Sequence, residues 1–181
     1  MSRTDQILDE LRPGLSDEVL AQIPVLIAAL AEAKRIVCYG VGREGLMIKA
    51  LAMRLYHLGC NAHVVGDMTA PPVGKGDVLL VSAGPGDFST VAALCAVATG
   101  AGAQVICVTA EPSGPVPAKA DLCVHLPAQT MASDAQAISI LPMGSLYEAL
   151  MFLFFELVVL DLRSHMGIAP AVMCANHTNL E

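Results

Sequence analysis

The chain is 181 residues long, the length of one domain with room for a substantial core. Hydrophobic residues make up 55% of it and charged residues 15%, so some faces are expected to be buried against other subunits. A net charge of −7 and the absence of Trp argue against nucleic acid as the main partner.

Six cysteines, Cys38, Cys60, Cys95, Cys107, Cys123 and Cys174, form no C-x-x-C pair. They read as small buried thiols of a reducing cytoplasm. The N-terminus has no charged-then-apolar targeting design. The most apolar run, residues 149–159, is broken by Glu156 and is too short to span a membrane. These features give the expectation of a soluble cytoplasmic protein without membrane contact.

Residues 4–11 and 17–33 read as helices. Val19, Leu20, Ile23, Leu26, Ile27 and Leu30 recur at helical spacing, and Pro24 kinks the second pattern or resets its start. Both helices are expected outside the sheet, against a neighbouring subunit or the C-terminal helix.

A regular alternation follows. Strands are expected at 35–39, 62–65, 77–82, 104–109 and 122–125, with helices at 43–58, 88–99 and 146–165. Such alternation predicts an α/β fold: a parallel sheet with right-handed crossovers and helices on both faces, in three αβα layers. The whole chain is expected to be one domain. Residues 1–34 supply the N-terminal helices, 35–126 the sheet and its crossovers, and 142–181 the last helix and tail. Residues 127–141 form a looser segment.

Ligands of such sheets sit at the carboxyl ends of the strands. Two Gly-rich turns fall there, one carrying Gly40 and Gly42, the other spanning 82–87. Each offers backbone N–H groups and a helix dipole to an anion, typically phosphate. The second turn contributes Ser82, Gly84, Gly86 and Asp87, with Ser89 and Thr90 at the helix start; the first adds the Arg43 guanidinium. The plainer alternative is that Asp87 or Ser89 only caps its helix and Arg43 is solvated.

On the helix after the first turn, Arg43, Arg54 and His57 fall near one face. Arg54 either binds substrate or pairs with a carboxylate, and His57 also suits a helix C-terminus. Ser145 and Glu148 have the spacing of a capping box. Spacing alone favours the cap; the alternative is that Glu148 is a proton-transfer base at a helix N-terminus. His177 lies in a polar tail that needs docking to order it, and its imidazole suits acid–base work. No metal-ligand spacing occurs, so no metal is expected, and no G-x-S-x-G turn is present.

The stretches 40–43, 52–59, 65–71, 141–145 with Glu148, and 177–181 together resemble the SIS (sugar isomerase) domain. Within it they are most similar to the 6-phospho-3-hexuloisomerases. The resemblance implies a five-stranded sheet of flavodoxin-like order and a homotetramer with sites at subunit contacts. It also implies cofactor-free interconversion of 3-hexulose 6-phosphate and fructose 6-phosphate through an enediol. Glu148 and His177, the latter perhaps from a neighbouring subunit, would then move the protons.

Two departures stand out. Glu44 replaces the serine usual in that family, and the second turn reads Ser82-Ala83-Gly84-Pro85-Gly86-Asp87 in place of Ser-Gly-Ser-Gly-x-Thr. Both add a carboxylate where phosphate is expected. A different, unphosphorylated or acidic sugar therefore stays open as substrate, as does a non-catalytic sugar-phosphate-binding module.

Overall fold

The structure is a computed structural model and describes residues 1–136 and 139–180. The expected looser segment therefore lies partly outside the described residues, as does Glu181 at the end of the 177–181 stretch.

Five parallel strands form one sheet in the order β2-β1-β3-β4-β5, the flavodoxin-like order. They are β1 (Ile36–Tyr39), β2 (Ala62–Val64), β3 (Val78–Ser82), β4 (Gln104–Thr109) and β5 (Leu122–His125). Apolar residues alternate between the two faces, as the pleat requires. Ile36, Cys38, Leu80, Ile106 and Val124 join one core cluster; Val37, Leu79, Val81, Val105 and Cys107 join the other. The central strand β3 is buried throughout, as a strand covered on both faces must be.

The first face is covered by α3 (Ile23–Glu32), α4 (Gly42–His57) and α6 (Ser145–His165). The second face is covered chiefly by α5 (Ser89–Gly100). Pro24 occupies the first turn of α3, where its missing N–H costs nothing, so it resets the helix and does not kink it. The N-terminal region is accordingly split into α1 (Arg3–Leu11), α2 (Asp17–Leu20) and α3. Helices α1 and α3 pack on α6.

A short helix, α7 (Pro170–Ala175), which the sequence reading leaves inside the tail, folds back onto α4. Among the described residues no single helix is long and apolar enough to cross a membrane.

The entry into α4 is tight. Gly45 packs so closely that a Cβ on it would lie 2.4 Å from the Gly40 carbonyl oxygen. Gly40, Gly42 and Gly45 thus share one turn. The third glycine, missed when the turn is read from its first two, serves helix–strand approach. This contact fixes where Arg43 and Glu44 leave the helix.

Candidate active site

A cavity of about 330 Å³ opens at the carboxyl end of the sheet, between the start of α4 and the start of α6. Arg43, Glu44, Phe88, Tyr147 and Glu148 line it, with Thr130 on the far wall.

Helix α6 does not begin with the expected capping box. Gly144, at φ 79°, is the N-cap residue and Ser145 is already inside the helix, with no side-chain cap. Glu148 is therefore released from capping. Arg43 Nε donates to Glu148 Oε2, closing a salt bridge across the cavity. The arginine side chain is 68% exposed and the glutamate 10%, so a cation reaches in from solvent to a buried carboxylate.

Glu44 points inward. Its Oε2 accepts a hydrogen bond from Ser82 Oγ at 2.5 Å and another from the Gly84 N–H at 2.9 Å. Tyr147 Oη lies 3.2 Å from Ser82 Oγ. A serine hydroxyl has one proton, and here it goes to Glu44, so the tyrosine is the donor to Ser82. Burial raises the Glu44 carboxyl above its ordinary value; the bonds from Ser82 and Gly84 oppose this, and the charge of Glu148 adds to it. Burial likewise drives the Tyr147 hydroxyl well above its ordinary value, with the Glu44 charge adding to it.

Thr109 at the end of β4 holds the turn from behind. Its Oγ1 donates to the Ala83 carbonyl at 2.7 Å and accepts the Glu111 N–H at 3.0 Å.

The remaining candidates divide. Gly42 lines the cavity, and Ser82 and Gly84 form its floor through Glu44. Gly86 shapes the turn at φ 83° and abuts Gly114. Asp87, Ser89 and Thr90 are exposed and do not line the cavity. Helix α5 begins at Ser89 with no side-chain cap, so neither Asp87 nor Ser89 caps it. Phe88 and Tyr147 were not anticipated from the sequence; a lone aromatic beside a Gly-rich turn carries no spacing signal.

Arg54, His57 and His177 gather at the opposite end of α4, around a second cavity of about 480 Å³. Arg54 pairs with Glu156 at 3.8 Å and donates to His57 Nδ1 at 3.4 Å. The His57 and His177 rings lie 5.3 Å apart, and Asn176 Nδ2 donates to the His57 carbonyl at 3.0 Å. The tail is thus docked. His177 Nδ1–H donates to the Thr178 carbonyl at 3.0 Å. Fourteen residues of α4 separate Arg43 from His57, about 21 Å of helix. A single chain therefore does not bring Glu148 and His177 together. Among the described residues no three His, Cys, Asp or Glu side chains gather as a metal site.

Residues 29–153 match the SIS domain. The chain belongs to the SIS domain family. Over 177 residues this SIS domain is 33% identical to the 3-hexulose-6-phosphate isomerase of Bacillus subtilis (strain 168), covering 97% of this chain and 96% of the relative. It is 36% identical over 160 residues to the 3-hexulose-6-phosphate isomerase of Mycobacterium gastri, covering 88% and 80%. A crystal structure from Methanococcus jannaschii superposes on it with a TM-score of 0.87 at 27% identity, over the whole of both chains. The molecular function inferred for that protein is 3-hexulose-6-phosphate isomerase.

Proposed function

We propose that this SIS domain is a cofactor-independent isomerase that interconverts 3-hexulose 6-phosphate and fructose 6-phosphate. The observation that carries the reading is the buried Glu148 carboxylate, freed from helix capping and turned into a sugar-sized cavity beside Arg43. The names of two relatives that this chain covers almost end to end support the same substrate pair.

The reaction moves a carbonyl by one carbon. A base removes the C2 proton of the 3-ketose, the electrons pass to the C3 oxygen, and an enediol forms. Return of a proton to C3 and loss of the O2 proton give the 2-ketose. Glu148 is the carbon base. Arg43 carries five N–H donors and gives one to Glu148, leaving four for the enediolate oxygens as their charge grows.

His177 serves the oxygens from a second copy of the chain. Leu46, Met53 and Tyr56 form an exposed apolar stripe along α4, and Phe152 and Leu160 are exposed on α6. A two-fold, antiparallel contact along this stripe sets the C-terminal end of one α4 against the N-terminal end of the other. The single domain, the homo-oligomer (a tetramer with sites at subunit contacts) and a cytoplasmic setting belong to the same proposal. All six cysteines are free, in keeping with a reducing compartment.

The test is a coupled assay that follows fructose 6-phosphate formed from 3-hexulose 6-phosphate. Robust turnover lost in Glu148→Gln supports the reading, and a folded protein with no turnover overturns it. A second reading, an isomerase of an unphosphorylated ketose, is favoured by one specific observation: the position of Glu44.

A further inference from the structure

We infer that Glu44 helps to hold the substrate's phosphate as a hydrogen-bond donor: fixed from behind through Oε2, it turns Oε1 to the cavity and there carries a proton that enters together with the sugar phosphate. The inference rests on the cavity being the phosphosugar site of the isomerase reading, and it states how that site accommodates a carboxylate.

The geometry separates the two oxygens of Glu44. Oε2 accepts both the Ser82 hydroxyl at 2.5 Å and the Gly84 N–H at 2.9 Å. Tyr147 backs this arrangement by donating to Ser82. Oε1 receives neither bond and stands over the turn, 2.7 Å from where a Cβ on Gly84 would be. Among the described residues no buried side-chain oxygen or nitrogen lacks a partner, so Oε1 is not buried: it opens on the cavity that Glu44 lines.

A carboxyl group with its proton on the open oxygen accepts on one side and donates on the other. It keeps the Ser82 and Gly84 bonds and passes their donor capacity one step outward, to a phosphate oxygen. Without the proton, Oε1 meets the phosphate as a like charge.

The surroundings favour the proton. Tyr147 and Glu148 approach Glu44 from α6, Cys107 approaches from β4, and Arg43 is its neighbour on α4. Burial holds Tyr147 and Cys107 neutral. Among the described lining residues Arg43 is the one cation, and it is paired with Glu148. The lining is therefore neutral when Glu44 is protonated and negative when it is not. Burial and the Glu148 charge already raise the Glu44 carboxyl, against the Ser82 and Gly84 bonds, and an incoming dianion raises it further. Binding thus draws a proton from solvent onto Oε1 at any pH where the free protein lacks it.

The experiment is calorimetric titration of the full chain with glucitol 6-phosphate, which has the charge of a phosphosugar and no carbonyl to isomerise. The parental protein and Glu44→Gln are compared over a pH series rising through the raised Glu44 value, in pairs of buffers that differ in ionisation enthalpy. The amide accepts from Ser82 and Gly84 through its oxygen and donates to the cavity through its nitrogen, so it copies the protonated acid without titrating. Titration of the ligand's own phosphate is common to both proteins and cancels in the difference. At the upper end of the series the parental protein should take up about one proton more per ligand bound than Glu44→Gln. Its affinity there should fall by up to about tenfold per pH unit relative to the variant, and the two should bind alike at the lower end.

Equal proton uptake with parallel affinity curves overturns the inference, as does a lack of binding to both proteins. Should Glu44→Gln fold poorly, the parental protein decides alone: ligand added at the upper end should bring up a carboxylic-acid C=O band in the infrared difference spectrum, and its absence overturns the inference. None of these readouts needs turnover. Glu44-dependent uptake in a protein that fails to isomerise the phosphosugar pair removes the isomerase reading alone. Turnover of that pair without such uptake removes this inference alone.

Discussion

Glu44 and Gly84 occupy one space. The glutamate accepts the glycine's N–H at 2.9 Å, and its other oxygen stands 2.7 Å from where a Cβ at 84 would be. The two positions, forty residues apart, are therefore energetically coupled. Gly84→Ser alone forces Glu44 or Tyr147 to move and should destabilise the protein by about 1–3 kcal/mol. Glu44→Ser made in the same chain should recover part of that loss, giving a coupling energy of about 0.5–3 kcal/mol in a denaturation cycle. Strictly additive losses would show that the two side-chain positions do not compete.

The buried Glu44 also makes stability depend on pH. Its carboxyl is raised above its ordinary 4.5 chiefly by burial, with the Glu148 charge adding to this and the Ser82 and Gly84 bonds opposing it; Tyr147 and the Glu148-bound Arg43 complete its surroundings. The folded protein thus holds this proton more tightly than the unfolded chain. Its contribution is fully present below the ordinary value and is lost as pH rises through the raised one. As pH rises from the ordinary 4.5 through the raised value, the denaturation midpoint of the parental protein should fall relative to that of Glu44→Gln. Parallel curves would place the Glu44 proton affinity at its ordinary value.

Loss of the carbon base should be a loss of rate. Glu148→Gln is expected to lower kcat at least about a hundredfold while ligand still binds, since the amide fills the same space without a base. Turnover at the parental rate would remove Glu148 from the mechanism.

The two ends of α4 lead to a mixing experiment. If His177 completes the site of a second copy, Glu148→Gln and His177→Asn chains, each inactive alone, should regain activity when co-assembled. Random pairing leaves about a quarter of the sites with both groups intact, and the mixture should show about that share of parental activity. A mixture as inactive as its components would confine the site to one chain.

Close packing at the first turn should be intolerant. Gly45→Ala places a methyl group 2.4 Å from the Gly40 carbonyl oxygen, a backbone atom that cannot rotate away. Both stability and activity should fall, because the displaced turn carries Arg43 and Glu44. A variant with parental melting temperature and rate would contradict this packing.

Much of the fold could be read from the sequence because it depends on local chemistry. Apolar runs such as residues 104–109 became strands of the expected bounds, since a buried parallel strand tolerates little else. The start of α3 followed from Pro24. The site was harder to read because its geometry is non-local. Ser145 and Glu148 have capping spacing, yet the left-handed Gly144 takes the N-cap position and the glutamate pairs with an arginine 105 residues away. Ser89 and Thr90 sit at a helix start facing the wall of the cavity, but helical phase turns them to solvent. Glu44 looked like a departure next to a phosphate loop, and nothing short of the packed sheet could show it bonded into that loop.

The shared space at positions 44 and 84 also constrains how this loop could be grafted onto another chain. With any side chain at 84, a carboxylate at 44 has no room to turn inward. A glutamate at 44 can fold inward only beside a glycine at 84, so the two residues have to be transferred to another chain as a pair.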